Sequence, residues 1–255
     1  MLKKLKSLSK SPKGSRLALI LKAGALGTLF YLSFSGWLWL VLFFIASFFL
    51  YFGRVFNSKR FLASFLVILG AAAILFSRFS GGNAQYFWFS VFFGTLFFFL
   101  LGIKNLVFIP RRAYYFLLNS FLMGLCFLIF FSAGESWSFG MNYFFLGTAV
   151  YFLIKEFFVF NFESPIMRAQ PNLFARKNLV ALIFVFLLLQ FVWGISFLPF
   201  GFLGVSALAL LFVLSLEDLM LNYWNGILTR NAILRNITIF LGVLMVIFAS
   251  SKWFL

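Results

Sequence analysis

Four polar side chains near the end of a long apolar run have residue types and spacings that suit a divalent-cation site. Asp218, Asn222 and Asn225 are spaced i, i+4 and i+7, so they share one face of a helix. Glu217 lies about 100° around the same helix. Carboxylate and amide oxygens placed in this way could hold Mg²⁺ and orient a phosphorylated head group. The alternative is a polar helix end that reaches water and pairs with nearby arginines.

A charged pair, Lys155 and Glu156, lies inside another apolar run. Charged residues within a membrane helix are costly and by default indicate function, so Glu156 is a candidate for carrying an ion or a proton. Adjacent helix residues point about 100° apart, and we do not expect these two side chains to face each other squarely. In the alternative interpretation, Lys155 extends to the head groups and Glu156 pairs with a loop arginine.

Two further sets of polar residues carry weaker hypotheses. Gln190 and Asn119 lie within apolar runs, where hydrogen bonds between helices explain uncharged polar side chains, and substrate contact is the alternative. Basic residues in the short connecting segments could grip phosphate or lipid head groups. These residues are Arg111, Arg112, Arg168, Arg176, Lys177, Arg230 and Arg235.

The composition excludes several kinds of catalytic centre. The chain has no histidine, one cysteine (Cys126) and five acidic residues. It therefore lacks histidine bases, histidine-ligated haem or zinc, iron–sulfur clusters, and Ser-His or Cys-His nucleophiles. No nucleotide-binding or metalloprotease motif is present, and no segment indicates a family. We expect no catalytic residue set, no metal and no cofactor.

The 255 residues that must position these side chains are far more apolar than those of a soluble domain. Hydrophobic residues make up 64% and charged residues 10%, against about half and about a quarter in ordinary globular proteins. The mean hydropathy is +1.07. Because about 20 apolar residues cross a bilayer core of about 30 Å, we expect an all-α, multi-pass membrane helix bundle. The expected spans lie near 17–33, 36–53, 61–77, 86–104, 113–132, 142–160, 179–198, 202–222 and 236–253.

The stretch 17–53 decides between eight and nine spans, because it is too long for one crossing. A turn at the Ser-Phe-Ser-Gly run 33–36 would divide it into two. With nine spans, most basic residues, Lys104 among them, lie on the side of the N-terminus, and only Arg78 and Lys252 lie opposite. Since cytoplasmic loops carry the Lys/Arg excess, we predict nine spans with the N-terminus cytoplasmic and the C-terminus outside. The plain basic start, in place of a transit peptide, favours a bacterial plasma membrane.

The predicted organisation is a basic cytoplasmic tail, 1–16, followed by a single transmembrane domain, 17–255. Six Lys/Arg residues place the tail on anionic lipid head groups, and topology explains them without nucleic acid. Similar runs at 93–96 and 146–149 suggest a repeated helical hairpin, with chance similarity as the alternative. Small residues at 70–73, and Ser120 with Gly124, predict close helix approach.

Three functions from different classes are compatible with these features. A non-enzymatic membrane subunit or scaffold is favoured by the missing catalytic residues and the scarcity of buried polar groups. A carrier or flippase for a lipid or hydrophobic small molecule is favoured by the repeats and by Lys155 and Glu156. A lipid-phosphate transferase would act through Glu217, Asp218 and neighbouring arginines. The expected partners are the bilayer, its anionic head groups and a second membrane protein.

Overall fold

A computed structural model of the protein describes residues 12–53, 61–78, 82–105, 107–108, 110–132, 139–161, 177–224 and 226–250. These residues form helices joined by turns and short connections, which confirms the all-helical prediction. Within the described residues there are nine helices: α1 (Pro12–Ser33), α2 (Trp37–Phe52), α3 (Leu62–Arg78), α4 (Asn83–Lys104), α5 (Arg111–Ser132), α6 (Phe139–Asn161), α7 (Lys177–Ile195), α8 (Phe202–Trp224) and α9 (Arg230–Ser250).

Seven of these helices are long and apolar enough to cross a membrane, namely all except α2 and α3. The two exceptions are apolar but have 16 and 17 residues. At about 1.5 Å per residue they are shorter than a hydrocarbon core of about 30 Å. The helix positions agree with the predicted spans, and the described residues establish seven long apolar helices.

The predicted break within 17–53 is present. α1 ends at Ser33, and the backbone N–H of Gly36 donates to the Ser33 carbonyl oxygen at 3.1 Å. The Ser35 hydroxyl closes the turn by donating to the Leu32 carbonyl oxygen at 2.6 Å. α2 then begins at Trp37. Serine hydroxyls thus satisfy carbonyl groups that the end of α1 leaves without helical partners.

The chain divides into two compact units, 1–122 and 123–255, and the division falls within α5. In the first unit α1 packs against α2 and α4, and α3 packs against α4. α1 and α4 run antiparallel, because Phe30 lies 4.5 Å from Phe93 and Phe34 lies 4.1 Å from Tyr86 between ring centroids. Phe30 and Phe93 are completely buried, so aromatic rings fill the core between these helices.

The closest approach of α1 and α4 is at two glycines. A Cβ atom on Gly27 would lie 3.1 Å from the Ser90 carbonyl oxygen and 3.5 Å from the Gly94 Cα. Glycine is needed where two backbones come this close. Of the small residues at 70–73 that predict close approach, Ala71 and Ala72 are buried, whereas Gly70 is exposed and a Cβ there would have no neighbour within 4 Å. Gly124, the other predicted position, faces Leu210 at 3.4 Å.

In the second unit the helices pack in chain order: α6 on α7, α7 on α8, and α8 on α9. Phe191 of α7 stacks on Phe212 of α8 with ring centroids 4.0 Å apart. α9 is the least covered helix. Of its apolar stretch Arg230–Ala249, 6% is buried, against 33 to 44% for the other six long apolar helices.

Candidate functional site

Asp218 and Asn222, two of the predicted cation ligands, form a hydrogen-bonded group with a third residue, Asn236, which is not among the predicted ligands. The Asn222 side-chain amide donates to Asp218 Oδ2 at 3.0 Å, one turn apart on α8. The Asn236 amide, on α9, donates to the same oxygen at 2.9 Å. It also donates to the Ser215 carbonyl oxygen at 3.4 Å. We call Ser215, Asp218, Asn222 and Asn236 the polar clasp, because its hydrogen bonds join α8 to α9.

The end of α8 is defined by a turn that glycine makes possible. The N–H of Gly226 donates to the Tyr223 carbonyl oxygen at 3.1 Å, and the N–H of Ile227 donates to the Asn222 carbonyl oxygen at 3.0 Å. These are the two hydrogen bonds of a Schellman motif. Gly226 has a φ of +68°, which side chains rarely tolerate and glycine adopts without steric cost.

The start of α9 is capped by Thr229. Its hydroxyl oxygen accepts a hydrogen bond from the Ala232 N–H at 3.2 Å, as expected of an N-cap residue. Asn236 lies nearly two turns further along and is 9% exposed. The glycine turn and the threonine cap together direct α9 back along α8, so that Asn236 reaches Asp218.

The polar clasp presents hydrogen-bond donors to Asp218. Two amide NH₂ groups converge on Oδ2, which accepts a hydrogen bond from each. A Mg²⁺ site would instead need several oxygen atoms directed at the ion. In the part of the chain that the structure describes, no group of three Asp, Glu, His or Cys side chains could hold a metal. The arrangement is suited to joining two helices.

The remaining members of the predicted cation set are Glu217 and Asn225. Glu217 is completely buried, whereas Asp218 is half-buried, so the two carboxylates have different surroundings on adjacent positions of α8. This difference follows from the angle of about 100° between successive helix residues. Asn225 lies outside the described residues.

Lys155 and Glu156 are also separated by their surroundings. Glu156 is 8% exposed. Lys155 is half-buried, and its Nζ lies 5.7 Å from the ring centroid of Tyr151, one turn earlier on α6. Both lie within the last two turns of α6, which ends at Asn161. Glu156 is therefore the more deeply buried member of the pair.

Gln190 and Asn119 have opposite environments. Asn119 is completely buried in α5. Gln190 is exposed on α7 and makes no side-chain hydrogen bond with any described residue, so the predicted hydrogen bond between helices is not seen. A polar residue in an apolar run does not by itself show which way its helix faces.

The arginines that are predicted to contact head groups lie near the starts of helices, as far as the structure describes them. Arg111 and Arg112 begin α5, the first half-buried and the second exposed. Arg230 and Arg235 are exposed in the first two turns of α9. Three others fall at or beyond the limits of the description: Lys177 is the first residue of α7, and Arg168 and Arg176 lie outside the described residues.

Lys104, at the end of the predicted span 86–104, is a buried cation whose contacts the sequence does not predict. It is 5% exposed, and its Nζ donates to the carbonyl oxygen of Tyr51 near the end of α2. The Nζ also lies 3.8 Å from the Tyr51 ring centroid. The last carbonyls of a helix lack helical partners and carry partial negative charge, so a cation there is favourable. The missed signal was that Lys104 directly follows the apolar residues 100–103.

Comparison with known proteins does not assign the chain to a family. No family model matches it, and no curated protein or solved structure matches it. The proposals that follow therefore rest on the packing, charge and hydrogen bonds of the described residues.

Proposed function

We propose that this chain is an integral membrane protein of nine spans, with its N-terminus in the cytoplasm of a bacterial cell. Seven helices that are long and apolar enough to cross a membrane, with large apolar side chains exposed on them, support this proposal. On α7, for example, Leu182, Ile183 and Phe186 are 57%, 49% and 61% exposed. Contiguous apolar surface of this kind is stable against lipid and is rare on soluble proteins.

The two shorter helices are included as spans because of the charge distribution. Counting α2 and α3 as crossings places Lys104, Arg111 and Arg230 on the same side as the basic tail. Omitting one of these two helices would move all three residues to the opposite side, and omitting both would move Arg54, Lys59 and Arg60 there, against the preference of cytoplasmic loops for Lys and Arg.

Cysteine labelling tests this topology. In a Cys126→Ser background, single cysteines replace Ser35, Ser58, Phe197 and Ile227, and Ser58 lies in the sequence between α2 and α3. A membrane-impermeant maleimide added to intact cells should label Ser35→Cys and Phe197→Cys, and should label Ser58→Cys and Ile227→Cys only after permeabilisation. Labelling of Ser35→Cys from the cytoplasmic side alone, or of Ser58→Cys in intact cells, would overturn the nine-span proposal.

We infer that the role of the protein is that of a non-enzymatic membrane subunit or scaffold. The observation that carries this inference is the polar clasp, because Asp218 is held there by two amide donors. Lys104 is used in the same way, as a cap on α2. Polar groups of this kind stabilise helix packing, so Asp218 and Lys104 serve to hold helices together.

Native mass spectrometry of the protein, released from its own membrane in lipid particles, tests the subunit role. We expect a second membrane protein at constant stoichiometry, retained equally by the wild type and by Glu156→Gln. A chain that carries a phospholipid or small molecule and no protein partner would contradict the subunit role.

A carrier is the second candidate, and the burial of Glu156 favours it. A membrane-embedded carboxylate that binds and releases a proton is a common element of carriers. In proteoliposomes containing a pH-sensitive dye, a proton-coupled carrier should give a proton flux that Glu156→Gln abolishes and Lys155→Gln preserves. Equal flux in the wild type, both variants and empty liposomes would remove this candidate.

A further inference from the structure

One face of α9 combines an exposed arginine with an exposed apolar surface. Helical spacing places five residues along it, and all five are exposed. We call this surface the Arg235 face; its residues are Asn231, Arg235, Thr238, Gly242 and Val246.

The Arg235 face is turned away from α8. Asn236 directs the other side of α9 to α8 through the polar clasp. Near the far end, Phe248 packs on Phe200, with ring centroids 4.7 Å apart. These contacts hold α9 against its neighbour and leave the Arg235 face open.

Below Arg235 the face forms a shallow apolar groove. Gly242 has no side chain, and a Cβ there would have no neighbour within 4 Å. Met245 and Val246, on either side of it, are 70% and 66% exposed. The Thr238 hydroxyl donates to the Leu234 carbonyl oxygen at 2.9 Å, so its polar group is satisfied within the helix. The groove can therefore accept a hydrocarbon chain without leaving a polar group unsatisfied.

The charge at the top of the groove selects an anionic occupant. Arg235 makes no ion pair with a described residue. A second copy of the chain is a less suitable occupant. Copies that share one orientation in the membrane are related by an axis along the membrane normal, and a two-fold contact at this face would bring Arg235 next to its own counterpart. Like charges at such a contact repel. A phosphate instead matches the planar donor group of arginine.

The depth of Arg235 also suits a phospholipid. It lies five residues into α9, about 7.5 Å along the helix from its start at Arg230. On the proposed membrane location, on which this inference rests, that is close to the boundary between head groups and acyl chains. We propose that the Arg235 face binds an anionic phospholipid, with its phosphate on Arg235 and an acyl chain along the groove over Gly242.

Lipid retention by the purified full chain tests the charged part of the site. Native mass spectra are recorded after equal additions of dioleoylphosphatidylglycerol and dioleoylphosphatidylcholine. We expect about fivefold preferential retention of the anionic lipid, the effect of one favourable basic contact near the surface. Arg235→Gln should abolish this preference, whereas Lys22→Gln, which also removes one positive charge from a described helix, should keep it.

A second pair of variants tests the groove. Gly242→Leu fills the space beneath Arg235 and should lower retention of phosphatidylglycerol several-fold although the charge is unchanged. Gly70→Leu is the matched control, because Gly70 is also exposed within a helix and has no neighbour within 4 Å. Equal retention by Gly242→Leu and Gly70→Leu would show that the groove is not used.

The remaining outcomes separate this inference from the membrane proposal. If cysteine labelling supports the nine-span topology and Arg235→Gln retains phosphatidylglycerol like Lys22→Gln, the lipid site is wrong and the membrane location stands. Competition by inorganic phosphate alone at equal concentration would show that the acyl chain does not contribute. A dimer mass that Gly242→Leu abolishes would assign the face to a second copy and overturn the proposal.

Discussion

The hydroxyl of Ser90 on α4 donates a 2.6 Å hydrogen bond to the carbonyl oxygen of Gly27 on α1. Ser90 is 8% exposed, so this bond lies inside the first unit. One turn along α4, a Cβ on Gly94 would lie 3.4 Å from the Ala23 carbonyl oxygen. α1 and α4 are thus in contact through backbone and small side chains. Helices associate in this way in lipid, where no hydrophobic driving force brings them together.

Enlarging Gly27 should weaken this contact. In Gly27→Leu the new side chain meets the α4 backbone, which cannot move aside as a flexible side chain can, and we expect a loss of about 1–3 kcal/mol in unfolding free energy. The measurement is the unfolding midpoint in mixed micelles as denaturing detergent is added. Gly24→Leu is the control, because a Cβ on Gly24 has no neighbour within 4 Å. Equal midpoints for the two variants would contradict the close approach.

Removing the Lys104 charge should destabilise the end of α2. Lys104→Met keeps the length of the side chain but removes both the hydrogen bond to Tyr51 and the cation over its ring. We expect a loss of about 1–2 kcal/mol, typical of a charged hydrogen bond at a helix end. Hydrogen exchange of the α2 backbone is the measurement, with the half-buried Lys22→Met on α1 as control. Faster exchange in the control alone would show that Lys104 is not the cap.

The polar clasp should show energetic coupling between α8 and α9. A double-mutant cycle of Asp218→Ala and Asn236→Ala should give a coupling free energy of about 1 kcal/mol, because each single change already removes their shared hydrogen bond. Thermal unfolding in a lipid particle supplies the four stabilities. The cycle with the exposed Asn231→Ala in place of Asn236→Ala should give a value near zero. Additive effects of Asp218 and Asn236 would disprove the clasp.

A side chain at Gly226 should strain the turn between α8 and α9. Gly226→Ala forces a residue with a Cβ to adopt a φ of +68°, at a cost of about 1–2 kcal/mol. We expect a lower melting temperature. Gly82→Ala is the control, because Gly82 has an extended backbone with φ −81° and no neighbour within 4 Å of its Cβ position. A melting temperature unchanged in both variants would show that the turn tolerates either residue.

The positions of the helices were predictable because helix formation in an apolar chain is a local property. A run of about 20 apolar residues, a cluster of turn residues and the next run are visible in the sequence without knowing what packs against them. The break after Ser33 illustrates this, since serine and glycine within a few residues supply the groups that end a helix. The structure ends α1 at Ser33 and begins α2 at Trp37.

The directions in which the helices face were not predictable. On α7, Phe184 and Leu188 are buried and Phe186 and Leu187 are exposed, yet all four are equally apolar. A helix that is apolar on every side has no hydrophobic stripe to show which face meets a neighbour. For the same reason the exposure of Gln190 and of Gly70 could not be predicted.

Local composition was therefore sufficient to establish an all-helical chain, its helix positions and the chemistries that the missing residue types exclude. Only the tertiary structure brought Asn236 to Asp218, Lys104 to Tyr51 and Gly27 to Gly94. These contacts join residues of different helices, and their formation depends on how each helix is rotated about its axis. That rotation is decided by packing between distant parts of the chain, which apolar residues distributed on all sides do not encode locally.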